Sequence, residues 1–154
     1  MTERNVQVGI KEKISYGFGD MSSSMFWKIF GMYLLYFYTD VFGLSPAAVG
    51  TMFFVTRIWD AVNDPIFGML ADRTESRWGK FRPWILFGAL PFSVFGVLTF
   101  VVPPEDWAPW TRLLYAYVTY TLMMMAYSAV NVPYASLLGV ISSDARDRNA
   151  LSSY

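Results

Sequence analysis

The chain has 154 residues, a formal net charge of zero, and no cysteine or histidine. The zero net charge gives no indication of nucleic-acid binding, and the missing residue types exclude disulfides, thiolate metal sites and Cys/His nucleophiles. Hydrophobic residues make up 55% of the chain and charged residues 16%, against about 45–50% and about 25% in globular proteins. This composition predicts a membrane protein.

The first predicted membrane span runs from about Ser15 to Tyr38 and is mostly apolar. If the helix is regular, Asp20 shares a stripe with Ser24 and Trp27. Such a polar and aromatic stripe can line a water-filled path for a polyhydroxy solute. The alternative is structural: the serines at 22–24 would allow close helix packing, and the tryptophan would fill space.

The second predicted span begins at a Ser45-Pro46 helix-start signal, ends near Ala71 and contains Asp60 and Asp64. Their spacing of four residues places the two carboxylates on one helix face. Ionisable groups at membrane depth cost enough free energy that they indicate a functional site. Lys28 of the first span needs a charge partner for the same reason, and a carboxylate of the second span is the expected one.

The two carboxylates are predicted to hold a proton or a small cation, because two adjacent negative charges are costly in a low-dielectric site. Asn63 adds an amide oxygen, and hard ions prefer oxygen ligands. Pro65 lacks an N–H, so it predicts a kink with a free backbone carbonyl beside the carboxylates. Two structural alternatives are that Asp64-Pro65 ends the helix, and that Arg57 forms a buried salt bridge with Asp60.

Two runs without charged residues predict the third and fourth spans. They cover 22 residues from Pro83 to Pro104 and 31 residues from Leu113 to Ser143, and each is long enough to cross a bilayer. In the fourth span Tyr127, Asn131 and Tyr134 share a face by the i, i+4, i+7 rule. Their polar groups can exchange hydrogen bonds with a sugar or a peptide-like solute, or they can join helices, at about 0.6 kcal/mol per contact.

The distribution of lysine and arginine predicts how the helices are oriented. Nine of the twelve precede span one, follow span four or lie in the loop between spans two and three. The positive-inside rule therefore places both termini in the cytoplasm. We predict an all-α membrane protein with four transmembrane helices over residues 14–143. Residues 1–13 are a cytoplasmic N-terminus, and residues 144–154 begin a cytoplasmic loop in which the chain is truncated.

The loop between spans two and three carries a motif. Residues 68–83 read G-M-L-A-D-R-T-E-S-R-W-G-K-F-R-P, which resembles the major facilitator signature G-x-x-x-D-R-x-G-R-R with a small insertion. With R-I-W-D-A-V-N-D-P at 57–65 and N-V-P-Y at 131–134, the chain resembles the glycoside–pentoside–hexuronide:cation symporter family, typified by melibiose permease. The resemblance covers about Lys13 to Arg148 and implies helices 1–4 of a twelve-helix major facilitator fold.

The resemblance also implies roles for individual residues. In the family two helix-two acids, the intervening Asn and a helix-four hydroxyl bind the coupling cation. The matching positions are Asp60, Asn63, Asp64 and Ser128. The sugar pocket departs from melibiose permease, because its Lys-Asp pair and its helix-four Asp are replaced here by Ser and Asn. The candidate sugar ligands are Asp20, Ser23, Ser24, Trp27, Tyr127 and Asn131. The candidate charge partners or gate residues are Lys28, Arg57, Asp72, Arg73, Arg77 and Arg148.

The implied function is cation-coupled symport of a sugar or glycoside by alternating access. The coupling ion is Na+ or H+, no cofactor is implied, and the one metal ion implied is Na+ at the cation site. The implied partners are the sugar, the cation, the lipid bilayer of a bacterial inner membrane and the C-terminal helices that the chain lacks. Loss of the pocket acids lowers the repulsion of an anion, so hexuronides remain open as substrates.

Two other functions fit part of the sequence. Gly17-Phe-Gly-Asp20 matches the G-x-G-D string of intramembrane aspartyl proteases. No Tyr-Asp span precedes that string and no Pro-Ala-Leu motif follows it, so we do not expect an enzyme. A small helical membrane subunit without a transport role would also have four spans, but it leaves the loop motif unexplained.

Overall fold

The computed structural model describes residues 10–104 and 106–141, which form four α-helices. They are α1 (Ile10–Tyr36), α2 (Pro46–Arg73), α3 (Arg82–Thr99) and α4 (Pro109–Ile141). Each predicted span is therefore helical. Helix α1 begins at Ile10, within the predicted cytoplasmic segment 1–13, where Lys and Glu are good helix formers; that segment stays a prediction. The rest of that segment and the predicted loop from 144 lie outside the described residues.

The ends and the continuity of α2 follow from its local sequence. The Ser45 side chain accepts a hydrogen bond from the backbone N–H of Ala48 at 3.3 Å, and Pro46 occupies the first turn. The predicted helix start is therefore confirmed. The helix continues through Pro65 to Arg73, so the alternative in which Asp64-Pro65 ends the helix is wrong.

The connection from α1 to α2 contains a π-helical turn, Phe37–Val41, that the sequence pattern did not predict. The turn closes with a hydrogen bond of 2.7 Å from the Phe42 N–H to the Phe37 carbonyl. Arg112, near the start of α4, donates from Nη2 to the Phe42 carbonyl at 2.9 Å, and its guanidinium lies 5.5 Å from the Phe42 ring centroid. The end of α1 is therefore joined to the start of α4.

Helix α4 packs beside α2 in the same direction. Near the start of both helices, the rings of Phe53 and Tyr120 are 5.2 Å apart. Further along, Gly68 comes so close to Val132 that an added Cβ would lie 3.7 Å from its Cγ1 atom. Small residues let helix backbones approach in this way in membrane bundles.

Helix α4 also packs against α3, in the opposite direction. The Tyr115 hydroxyl donates to the Leu98 carbonyl at 2.8 Å, and the closest approach is at Gly88, where an added Cβ would lie 2.7 Å from Val130 Cγ2. In the first turn of α3, Nε1 of Trp84 donates to Oγ1 of Thr74 in the preceding loop at 2.9 Å. The loop motif is thus anchored to the helix that follows it.

The described helices carry large apolar side chains on their surface and bury several polar residues within a mostly apolar core. Large side chains such as Phe54, Phe87 and Leu90 are 65%, 65% and 71% exposed, whereas Asp60 and Ser128 are 8% and 4% exposed. A bilayer accepts exposed apolar side chains and not exposed charges. By length and composition, α3 and residues 109–137 of α4 can cross a membrane; α1 and α2 carry charges inside their spans.

The described residues divide into two compact units. One consists of Tyr33–Tyr134, and the other contains the earlier part of α1 and the end of α4. The contacts given above all lie within Tyr33–Tyr134. In the other unit Phe26 stacks on Phe30, with ring centroids 4.7 Å apart.

We predict that Gly88→Ala destabilises the chain relative to the matched variant Gly96→Ala. Both substitutions gain about 1 kcal/mol of helix propensity. An added Cβ at Gly96 has no neighbour within 4 Å, whereas the one at Gly88 meets Val130, and overpacking costs about 1–3 kcal/mol. Denaturant unfolding in detergent micelles measures the difference, and equal unfolding free energies for the two variants would contradict the described packing.

Candidate functional site

The face of α2 that turns toward α4 is polar. Thr56, Asp60 and Asn63 are buried, with exposed fractions of 2%, 8% and 5%, and Asp64 is half-buried. The residues at 56, 60 and 64 follow one another by one helical turn each, so they share a stripe. The Asp64 carboxylate is close enough to act electrostatically on Asp60. The predicted pair therefore lies together on a buried face.

Ser128 of α4 is level with Asp64. It lies one helical turn before Val132, which meets α2 at Gly68, and Asp64 lies one turn before Gly68. Because α2 and α4 run in the same direction, Ser128 and Asp64 are at the same height. Ser128 is also buried, at 4% exposed. The predicted ligand Ser128 is thus buried at the level of Asp64, and Asp60 lies one helical turn away from that level.

Three polar atoms of this cluster are buried without a hydrogen-bond partner among the described residues. They are Oδ1 of Asp60, Oδ1 of Asp64 and Nδ2 of Asn63. Such atoms cost free energy unless something binds them. Rotation of the Asn63 amide would present its oxygen at the same place. The donor set, two carboxylates with an amide and a hydroxyl, fits a small hard cation with oxygen ligands.

Arg57 supplies a positive charge at the edge of this cluster. It lies near enough to act electrostatically on Asp60, but its side chain is exposed. Asp60 is buried whereas Arg57 is exposed, and the alternative of an Arg57–Asp60 salt bridge stays a prediction. The cluster therefore contains two carboxyl groups and one guanidinium group.

The candidate sugar ligands are divided between the two units. In α1, Ser23 and Trp27 are half-buried and Ser24 is exposed, whereas the side chain of Asp20 lies outside the described residues. In α4, Tyr127 and Asn131 are half-buried. Tyr127 packs against Phe92 of α3, with ring centroids 5.8 Å apart.

The candidate charge partners and gate residues lie at the surface where they are described. Their side chains are exposed, and Arg148 lies outside the described residues. The exposed members are Lys28, Arg57, Asp72, Arg73 and Arg77. Asp72 and Arg73 end α2 and belong to the loop motif.

Two buried polar residues near the cluster were not among the predicted site residues. Thr56 precedes Asp60 by one turn, so the helical stripe could have identified it; its hydroxyl donates to the Met52 carbonyl at 2.8 Å. Tyr120 is 5% exposed and is close enough to Asp60 and Arg57 for electrostatic interaction. Only the packing of α4 on α2 reveals that proximity.

Comparison with known proteins places the chain among sugar transporters. Residues 15–154 match the family described as MFS/sugar transport protein. The chain is 49% identical over 147 residues to the inner membrane symporter YicJ of Escherichia coli strain K12, and 48% identical over 148 residues to the putative glycoside/cation symporter YagG of the same strain. It is 44% identical over 141 residues to the isoprimeverose transporter of Lactiplantibacillus pentosus.

These alignments cover 96%, 96% and 92% of the chain but only 32%, 32% and 29% of the relatives. The chain thus spans about a third of the length of the curated relatives that it matches. The relatives are transport proteins and not enzymes, so the protease alternative is wrong. The family resemblance is confirmed: the chain belongs to the MFS/sugar transport protein family, and within it to the glycoside–pentoside–hexuronide:cation symporters.

Proposed function

We propose that this chain forms the first four helices of a twelve-helix carrier that couples the uptake of a sugar or glycoside to Na+ or H+ by alternating access. The observation that carries the proposal is the pair of buried, unpartnered aspartate oxygens beside Asn63 and Ser128. Relatives named as symporters support it, as does a chain length of about a third of theirs. The remaining helices would supply the facing half of the substrate site.

The charges of the cluster explain how a cation could control transport. Two ionised aspartates and Arg57 sum to one net negative charge, which is expensive to seal into a low-dielectric interior. A bound monovalent cation brings the sum to zero. The loaded site can therefore be closed from water at low cost, whereas the empty site resists closure. A ligand shifts a conformational equilibrium only through such a difference between two states.

The residues of the site are proposed to have different roles. The Asp60 and Asp64 carboxylates would hold the ion, or one of them the proton, and the Asn63 amide and the Ser128 hydroxyl would complete an oxygen shell for Na+. Because hydroxyl and amide oxygens are neutral, they add ligands without adding charge. Nothing in this donor set selects Na+ over H+, so both stay in the proposal.

The residues that would contact the sugar are proposed from the family resemblance and the sequence pattern. Tyr127 and Asn131 are half-buried on α4 and offer a hydroxyl and an amide for sugar hydroxyl groups. The α1 candidates remain Asp20, Ser23, Ser24 and Trp27. Because the pocket has fewer acidic residues than that of melibiose permease, it is suited to neutral glycosides, and acidic sugars remain open as substrates.

The proposed setting is a bacterial inner membrane, with both ends of the four-helix segment on the cytoplasmic side. The excess of Lys and Arg supports that orientation, and one relative is named as an inner membrane symporter. The loop motif then faces the cytoplasm. The exposed charged residues of the motif are Asp72, Arg73 and Arg77. Together with Lys28 and Arg148, they are proposed as charge partners or gate contacts of the complete carrier.

We expect the cation to stabilise the folded carrier through Asp64. A ligand that binds only the folded state adds about 2.7 kcal/mol at 100 times its Kd, so the melting temperature should rise with Na+ or with proton concentration. Asp64→Asn should remove this dependence, whereas the exposed Asp106→Asn should retain it. Thermal unfolding in Na+ and in choline, at two pH values, measures the effect. Dependence that persists in Asp64→Asn would contradict the assigned ligand.

We also expect Asp64→Asn to separate transport from substrate binding in the full-length carrier. Accumulation driven by a cation gradient should be lost, because the remaining carboxylate no longer provides the site, while cation-independent sugar binding or exchange is retained. Uptake of radiolabelled glycoside into proteoliposomes and equilibrium binding measure the two activities, with Asp106→Asn as the control. Unchanged cation-stimulated accumulation in Asp64→Asn would refute symport through this site.

A further inference from the structure

We propose that the loop between α2 and α3 forms a binding surface for an anionic phospholipid, with Trp78 at the edge of the hydrocarbon layer and Lys80 and Arg82 as the basic residues that attract the lipid phosphate. None of these three residues has a role in the proposed transport function. The inference goes beyond that function, because it requires the membrane setting but not cation coupling.

The loop is held in a defined conformation by a turn from Ser76 to Gly79. The Gly79 N–H donates to the Ser76 carbonyl at 3.1 Å. The Ser76 hydroxyl accepts from the Trp78 N–H at 3.2 Å and donates to the Gly79 carbonyl at 2.6 Å. Gly79 has a φ of 94°, a left-handed conformation that favours glycine. The backbone of the turn therefore fixes the direction in which Trp78 leaves it.

Trp78 lies against the outer surface of α3. Its ring stacks on that of Phe87, with ring centroids 6.1 Å apart and an interplanar angle of 25°. Both side chains stay open to the surroundings, at 56% and 65% exposed. Tryptophan is enriched at the level of lipid headgroups, because its ring is apolar and its N–H is a donor. The stacked pair has both properties at the start of a candidate membrane helix.

Phe87 begins an apolar stripe along α3. Leu90, Val94 and Val97 follow at spacings of three and four residues, and they are 71%, 48% and 67% exposed. By length and composition α3 can cross a membrane, so this stripe is suited to contact acyl chains. Trp78 stacks on the first residue of the stripe. Its ring therefore marks the boundary between acyl chains and headgroups.

Basic residues lie just beyond that boundary. Arg82 is the first residue of α3 and precedes Phe87 by five residues, which is about 7.5 Å along the helix axis. The headgroup layer on each side of a bilayer is about 5–7.5 Å thick, so Arg82 lies at the depth of the phosphates. Lys80 is two residues earlier, and both side chains are exposed.

The charge of the loop favours an anionic lipid over a zwitterionic one. Residues 72–82 include four basic and two acidic residues, so positive charge is in excess. Each Lys or Arg near an anionic surface strengthens binding about five-fold. The phosphate of phosphatidylcholine is already neutralised by its own choline group, whereas that of phosphatidylglycerol is not. The excess positive charge therefore complements the phosphatidylglycerol headgroup.

Fluorescence of the full-length carrier in phosphatidylcholine bilayers tests the inference. Phosphatidylglycerol with brominated acyl chains is added in increasing proportion, because bromine quenches the indoles that it contacts. The difference between each protein and its Trp78→Phe variant isolates the Trp78 signal, and that substitution keeps a ring for stacking on Phe87. Trp110→Phe is the matched control, since Trp110 is 68% exposed at the start of α4, the opposite end of the bundle. Brominated phosphatidylcholine is titrated in parallel.

We expect the Trp78 signal to be quenched at a proportion of phosphatidylglycerol at least about five-fold lower than that of phosphatidylcholine. Lys80→Gln and Arg82→Gln should each weaken this preference by about five-fold or remove it, and added salt should weaken it as well. Glu75→Gln should keep or increase the preference, because it removes an acidic residue from the same loop. The Trp110 signal should not respond to Lys80→Gln or Arg82→Gln. A merely structural role of the loop predicts no change in lipid preference.

Three results would overturn the inference: equal quenching of Trp78 by the two brominated lipids, an unchanged preference in both Lys80→Gln and Arg82→Gln, or relief of the quenching by soluble glycerol phosphate. The last result would show recognition of a phosphate without its acyl chains. None of these measurements depends on transport. Loss of lipid preference in a carrier that still accumulates glycoside would leave the proposed function standing, and cation-independent behaviour of Asp64→Asn says nothing against the lipid surface.

Discussion

The burial of two carboxylates on one stripe of α2 is the constraint on which the rest of the structure depends. Asp60 is 8% exposed and Asp64 half-buried, and each has an oxygen without a hydrogen-bond partner in the described residues. Neither can stay in that state at low cost. The surroundings that make it tolerable are polar groups from α4 on one side and the Arg57 charge on the other. A cation would complete the balance.

Close helix packing is what brings those groups together. Gly68 and Gly88 let α4 approach α2 and α3 at separations where a Cβ would touch or overlap a valine side chain. At the other end, Arg112 joins the start of α4 to the end of the α1 segment through the Phe42 carbonyl. These contacts set the height of α4 against α2. That height determines which α4 side chains face the aspartates.

The sequence predicted much of this arrangement, and the reasons for its failures are physical. Helix periodicity placed the aspartates on one face, and the Ser45-Pro46 signal located the start of α2. The π-helical turn after Tyr36 was not predicted, because its hydrogen bonds depend on how the chain is closed and not on a local residue pattern. Arg57 and Asp60 lie one turn apart but differ in burial, which the packing between helices decides and the spacing does not.

By itself, the sequence determined the helices, the family and the chemical character of the candidate cation site, since all three reside in local patterns: charge-free runs, the loop motif and an acid pair with an amide between. Only the tertiary structure decided that Tyr120 accompanies that pair, that Arg57 stays exposed and that Tyr38 is buried. The physical reason is that proximity between helices depends on their relative height and rotation, which packing sets and which no single helix encodes.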